Sequence, residues 1–172
     1  DLGDDLLLGV LDDDNVTSLY GQAIDTLIKI QSTPPSDLIP PYDETLLHQE
    51  MALFVDWFLG KHLGIELSDT QLTTLNTAFK LLADNALSQP QVLVHRDFHS
   101  RNLMQTAAGD IGVLDFQDAV TGACTYDLVS LLKDCYIQWP DAVVSSLLEQ
   151  FRSAYNQQFN QSIGSQQLSR WF

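Results

Sequence analysis

The sequence predicts a mainly α-helical domain interrupted by one small β-ribbon, an α+β arrangement. Three observations predict it. Apolar residues recur at helical spacing on both sides of the middle of the chain, the period shifts to short apolar runs between residues 92 and 114, and 172 residues with 45% hydrophobic content suffice for one core. A single domain over 1–172 is therefore expected.

Val16, Leu19, Tyr20, Ala23, Ile24, Leu27 and Ile28 step by threes and fours and predict a helix to about Ile30, with Asp12-Asp13-Asp14-Asn15 as its cap and favourable charge. Pro34, Pro35, Pro40 and Pro41 fall within eight residues and predict an extended surface connection. A second helix follows from the stripe Leu47, Met51, Phe54, Val55 and Phe58, stopping at Gly60 or Gly64. Ser68 and Gln71 form a capping box for a third, with an expected core face of Leu72, Leu75, Phe79, Leu82 and Leu87 and an end before Pro90. Strands are predicted at Val92-Leu93-Val94, Asn102-Leu103-Met104-Gln105 and Ile111-Gly112-Val113-Leu114, with Ala107-Ala108-Gly109-Asp110 turning between the last two. The helical period returns after Tyr126 through Leu128, Leu131, Leu132 and Cys135, then after Pro140 through Val143, Val144, Leu147, Leu148, Phe151 and Tyr155.

Twenty-three acidic against eight basic residues give a net charge of -15, which repels nucleic acid and anionic membrane surfaces and argues against both as partners. Cys124 and Cys135 are too few for a disulfide framework and fit no zinc spacing, so two buried thiols in a reducing cytoplasm are expected. No apolar run approaches the ~20 residues of a membrane span, and the opening residues do not resemble a signal peptide. The chain starts on Asp1 and ends on the apolar pair Trp171-Phe172, and is expected to be a piece of a longer protein.

Polar residues concentrate at the predicted ribbon, as His95-Arg96-Asp97-Phe98-His99-Ser100-Arg101-Asn102 and then Leu114-Asp115-Phe116. Phosphoryl transfer asks a protein for an aimed acceptor hydroxyl and for divalent ions that neutralise developing charge. Asp97 is the candidate to orient the hydroxyl and take its proton. Asn102 and Asp115 offer the hard oxygens that Mg²⁺ prefers. The His-Arg-Asp spacing to Asn102, with Asp-Phe about a dozen residues later, matches the catalytic-loop and metal-binding signatures of kinases.

The run Val94 to Met104, with Val113 to Ala119 and Thr125 to Leu132, resembles the aminoglycoside phosphotransferase and choline kinase branch of the protein-kinase-like superfamily. Within that branch it is similar to the bacterial cell-wall-recycling kinases that act on the anomeric hydroxyl of N-acetylmuramate and N-acetylglucosamine. The resemblance implies ATP and Mg²⁺ as cofactors and a small-molecule acceptor. It makes residues 94–118 the catalytic and metal-binding ribbon of a C-terminal lobe, and residues 1–5 the remnant of a hinge to an N-terminal lobe. It implies that Asp127 braces the catalytic loop from behind, and that Met104 and Leu114 form an apolar floor under the adenine. Another small alcohol, such as an aminoglycoside, choline or ethanolamine, and a silent pseudokinase remain as alternatives.

The glycine-rich phosphate loop, the lysine and the glutamate of an N-terminal lobe do not occur before the motif, so this piece alone is expected to be inactive. Only eleven residues separate Asp115 from Asp127, too short for a phosphorylatable activation segment, and Arg96 is therefore expected in a structural ion pair or hydrogen bond. His95 is expected to pack in support of the loop. His99 and Arg101 are candidates for substrate or phosphate contacts, with a solvated loop as the alternative. Trp57, Trp139 and Trp171 are expected to pack rather than stack on a sugar. An anionic sugar would need basic groups nearby, and Arg96, Arg101 and Lys133 lie nearest along the chain.

Overall fold

Residues 3–34 and 36–172 are described by the structure, a computed structural model of the chain. The core forms where α2 (Val16–Gln31) packs on α6 (Asp141–Phe159) and α5 (Tyr126–Leu132). From α2 it takes Leu19, Tyr20, Ala23, Ile24 and Leu27, and from α6 Val144, Leu147, Phe151 and Tyr155. Gly21 sits at the crossing: a Cβ there would lie 3.0 Å from the amide of Gln150, so the helices approach at a position without a side chain. A final helix, α7 (Ser165–Trp171), buries Leu168 in the same core.

The strands form two separate antiparallel pairs. β2 (Leu103–Gln105) pairs with β3 (Ile111–Val113), with Leu103 opposite Val113. β1 (Gln91–Val94) instead pairs with β4 (Val120–Ala123), with Val94 opposite Val120. β4 corrects the expectation of one continuous ribbon. Its residues are small and almost wholly buried, so the alternation that marks a strand is missing. Gly122 lets this strand lie close to Tyr42, since a Cβ there would stand a tight 3.2 Å from Cβ of Tyr42.

The N-terminal segment crosses the second pair. A short α1 (Leu7–Val10) buries Leu7, Leu6 bridges Met104, and the N–H of Gln105 donates to the carbonyl of Asp5 at 2.9 Å. Of the expected hinge remnant, Asp1 and Leu2 lie outside the described residues. Asn15 holds the N-cap position of α2 but makes no side-chain cap bond. The acidic cluster closes on itself instead, with an Asp12 carboxylate oxygen accepting from the N–H of Asp14 and of Asn15.

The helical hairpin α3 (Glu44–Leu53) and α4 (Asp69–Leu87) departs further. α3 is capped by Asp43 and continues as a π-helical stretch over Phe54–His62; α4 carries the Ser68/Gln71 capping box. Of the expected apolar faces, Phe54, Phe58, Leu82 and Leu87 are exposed, and Ala83 alone in these helices is buried among the described residues. The rest of the stripe, Leu47, Met51, Val55, Leu72, Leu75 and Phe79, is only half-buried, with Leu47 packed on the cluster of Tyr42, Val94 and Val120. Of the two thiols expected to be buried, Cys124 is and Cys135 is exposed. No described helix is long and apolar enough to cross a membrane.

Candidate active site

The loop between β1 and β2 carries His95 to Asn102 and is held at three points. At its start the buried Asp127 on α5 accepts from the backbone N–H of His95 at 2.7 Å and of Arg96 at 3.0 Å. These bonds stabilise Arg96 at φ +79, a left-handed conformation that a residue with a Cβ avoids without outside support. Burial pushes the Asp127 carboxyl up to about 7, against the pull of the two N–H donors. In the middle, Ser100 gives its N–H (2.9 Å) and hydroxyl (2.5 Å) to one oxygen of Asp134. At the end, the side-chain amide of Asn102 donates to the carbonyl of Asp97 at 3.1 Å, drawing the two ends of the Asp97–Asn102 turn together.

That last bond also orients Asn102. With its N–H₂ committed to Asp97, the amide oxygen remains as an acceptor. The N–H of Leu114 donates to the carbonyl of Asn102 at 2.9 Å, which sets the end of β3 beside the loop and delivers the next residue, Asp115, at φ +66. One Asp115 oxygen accepts from the Gln117 side chain at 2.7 Å, and the other has no partner among the described residues. Asp97 and Asp115 are exposed and Asn102 is half-buried. An amide oxygen and a carboxylate oxygen are thus available to a hard cation that completes its shell with water and phosphate. No group of three or more His, Cys, Asp or Glu that could hold a metal occurs among the described residues.

The antiparallel register places Asn102, Met104, Gly112 and Leu114 on one face of the second pair, with Leu103 and Ile111 on the opposite, core-facing side. Met104 is buried where Leu6 bridges it, and Leu114 is half-buried. His95 is buried with its ring edge-on to Phe98, and burial lowers its pKa, which keeps the imidazole neutral.

Three arrangements carry no signal in the sequence. Arg96 pairs with Glu50 on α3, and Glu50 also accepts from the hydroxyl of Tyr42, which stands 3.3 Å from that of Tyr126. The Ser100–Asp134 tether spans 34 residues. Tyr136 meets the ring of His99 edge-on at 5.4 Å and lies under the guanidinium of Arg101 at 4.8 Å. Trp139 is buried against Tyr20, while Trp57 is exposed under Lys61.

The profile of the phosphotransferase enzyme family known as APH matches residues 2–163. The chain is 46% identical over 148 residues to an N-acetylmuramate/N-acetylglucosamine kinase of Pseudomonas putida, covering 86% of this chain and 43% of the relative. It is 42% identical over 151 residues to the kinase of the same name from Pseudomonas aeruginosa, covering 88% and 44%. The chain therefore spans less than half the length of the curated relatives it matches. Among solved structures it is similar to an aminoglycoside-3'-phosphotransferase of type VIII, with TM-score 0.65 at 9% identity, covering 99% of this chain and 64% of that one. An ethanolamine kinase of Plasmodium vivax matches with TM-score 0.61 at 13% identity, covering 94% and 50%. Shared sequence along nearly all of its length and a shared fold lead to one conclusion: the chain belongs to the APH phosphotransferase enzyme family.

Proposed function

We propose that this chain is the C-terminal catalytic lobe of a cytoplasmic kinase that moves the γ-phosphate of ATP to the anomeric hydroxyl of N-acetylmuramate or N-acetylglucosamine. The observation that carries the reading is the braced loop itself: an exposed acid, an oriented amide oxygen and a second acid arrive from two adjoining strand ends. The names of its relatives supply the acceptor.

In this mechanism the Asp97 carboxylate, which accepts no hydrogen bond from other described residues, takes the hydrogen bond of the acceptor hydroxyl, aims its oxygen at the γ-phosphorus and receives its proton as the new P–O bond forms and the bond from the γ-phosphorus to the bridging oxygen breaks, with ADP leaving. Asn102 and Asp115 would hold Mg²⁺, which supplies charge neutralisation on the transferring phosphoryl group. Asp127 and Asp134 keep the loop from relaxing, so little reorganisation is needed at the moment of reaction. Met104 and Leu114 offer the adenine an apolar surface on the face that carries Asn102. The roof over the nucleotide comes from an N-terminal lobe outside this chain.

The test is Asp97→Asn in the complete enzyme, with ATP and each sugar. Turnover should fall by about 10²-fold or more with the unfolding midpoint unchanged, since an exposed side chain is altered without loss of volume. Near-normal turnover by the variant rejects the role of Asp97. Wild-type enzyme that phosphorylates an aminoglycoside or choline but neither sugar rejects the acceptor.

A further inference from the structure

Basic side chains are scarce around the loop, and two of the three nearest are committed elsewhere. Arg96 is spent on Glu50, and Lys133 stands over the ring of Phe172, 5.8 Å from its centroid. Arg101 differs. It is exposed, and no carboxylate pairs with it among the described residues, in a chain of net charge -15. It is nevertheless held in place. Its backbone lies between Ser100, tethered to Asp134, and Asn102, bonded to Asp97. Its guanidinium rests on Tyr136, whose ring meets His99 and whose N–H donates to Asp134 at 2.9 Å.

We infer that Arg101, poised on Tyr136, reads the carboxylate of an acidic sugar acceptor. The inference rests on the function proposed above. N-acetylmuramate carries a carboxylate on its lactyl ether and N-acetylglucosamine does not, so a site that serves both needs a cation that helps one without penalising the other. A buried cation would be left unpaired and costly by the neutral sugar. An exposed guanidinium keeps its water and its aromatic support when no anion arrives, and offers a fork of N–H donors when one does. In an acidic chain such a local cation also offsets the field that would otherwise turn an anionic substrate away.

The experiment compares Arg101→Gln and Arg101→Lys with wild type in the complete enzyme, measuring kcat and KM for N-acetylmuramate, N-acetylglucosamine and ATP. Arg101→Gln should lower kcat/KM for N-acetylmuramate roughly ten- to a hundredfold, the worth of a charge-assisted hydrogen bond, mainly through KM. The loss on N-acetylglucosamine should be at least ten times smaller. Arg101→Lys should recover part of the loss, because it keeps the charge and gives up the fork. Added salt should raise KM for N-acetylmuramate in wild type more than in Arg101→Gln. Equal losses on both sugars, or a raised KM for ATP, would assign Arg101 to the loop or the phosphates and overturn the inference, as would an unchanged KM for the acid. Wild type active on both sugars with an unselective Arg101→Gln sinks this inference alone, whereas wild type inactive on both sinks the proposed function and this with it.

Discussion

Asp127→Asn separates the stability of the lobe from the order of its loop. In the fold the Asp127 carboxyl is pushed up to about 7 by burial, from an ordinary value of 3.8, so keeping it ionised at alkaline pH costs about 4 kcal/mol at roughly 1.4 kcal/mol per unit. The amide removes that cost. It also replaces one acceptor with an N–H₂ that faces a backbone N–H, which leaves two buried donors without partners at a cost of about 1–3 kcal/mol each. The two terms nearly offset, so global stability near pH 8 should change by no more than about 2 kcal/mol. Because the folded pKa is raised, the carboxyl favours the fold most below about pH 4 and loses that advantage as pH climbs through 7. Wild type should therefore lose stability relative to the variant over that window. The loop has no such compensation: the left-handed Arg96 keeps one brace of two, and a loss of 1–3 kcal/mol in loop order lowers kcat by about 5- to 150-fold. Urea unfolding at pH 5 and 8, amide hydrogen exchange at residues 95 and 96, and turnover of the complete enzyme measure the three quantities. Unchanged exchange with unchanged turnover would refute the bracing role, and a stability loss above about 4 kcal/mol at pH 8 would refute the offset.

Three further outcomes follow from the packing. Glu50→Gln removes the charge that pairs with Arg96 and should lower turnover several-fold with a stability change under about 1 kcal/mol for this half-buried pair; a double-mutant cycle with Arg96→Gln checks that the two effects are shared. Gly122→Val drives a branched side chain toward Tyr42 and should cost about 1–3 kcal/mol in urea unfolding. A thiol reagent at pH 8 should modify the exposed Cys135 quickly and Cys124 only on unfolding, since burial pushes the Cys124 thiol up to about 12; mass spectrometry of the native protein should show one adduct.

What could be read from the sequence was whatever depends on near neighbours along it. The α2 stripe, the Ser68/Gln71 box and the turn before Ile111 are local patterns, and the structure reproduces them because helix period, capping and turn chemistry act over three or four residues. The spacing from Asp97 to Asn102 was legible for the same reason. Its bracing was not. Glu50 reaches Arg96 across 46 residues and Asp134 reaches Ser100 across 34, and nothing in an isolated acidic residue announces such a partner. β4 was hidden because burial of nearly all its residues erased the alternation, and the α3–α4 stripe was read as core because periodicity marks an apolar face without saying whether anything lies against it.

The eleven residues between Asp115 and Asp127 hold β4, whose four positions are matched one to one with β1. That leaves little free chain to be cut loose or clamped by a covalent tag. The stretch that other kinases reshape by phosphorylation is here built into a sheet.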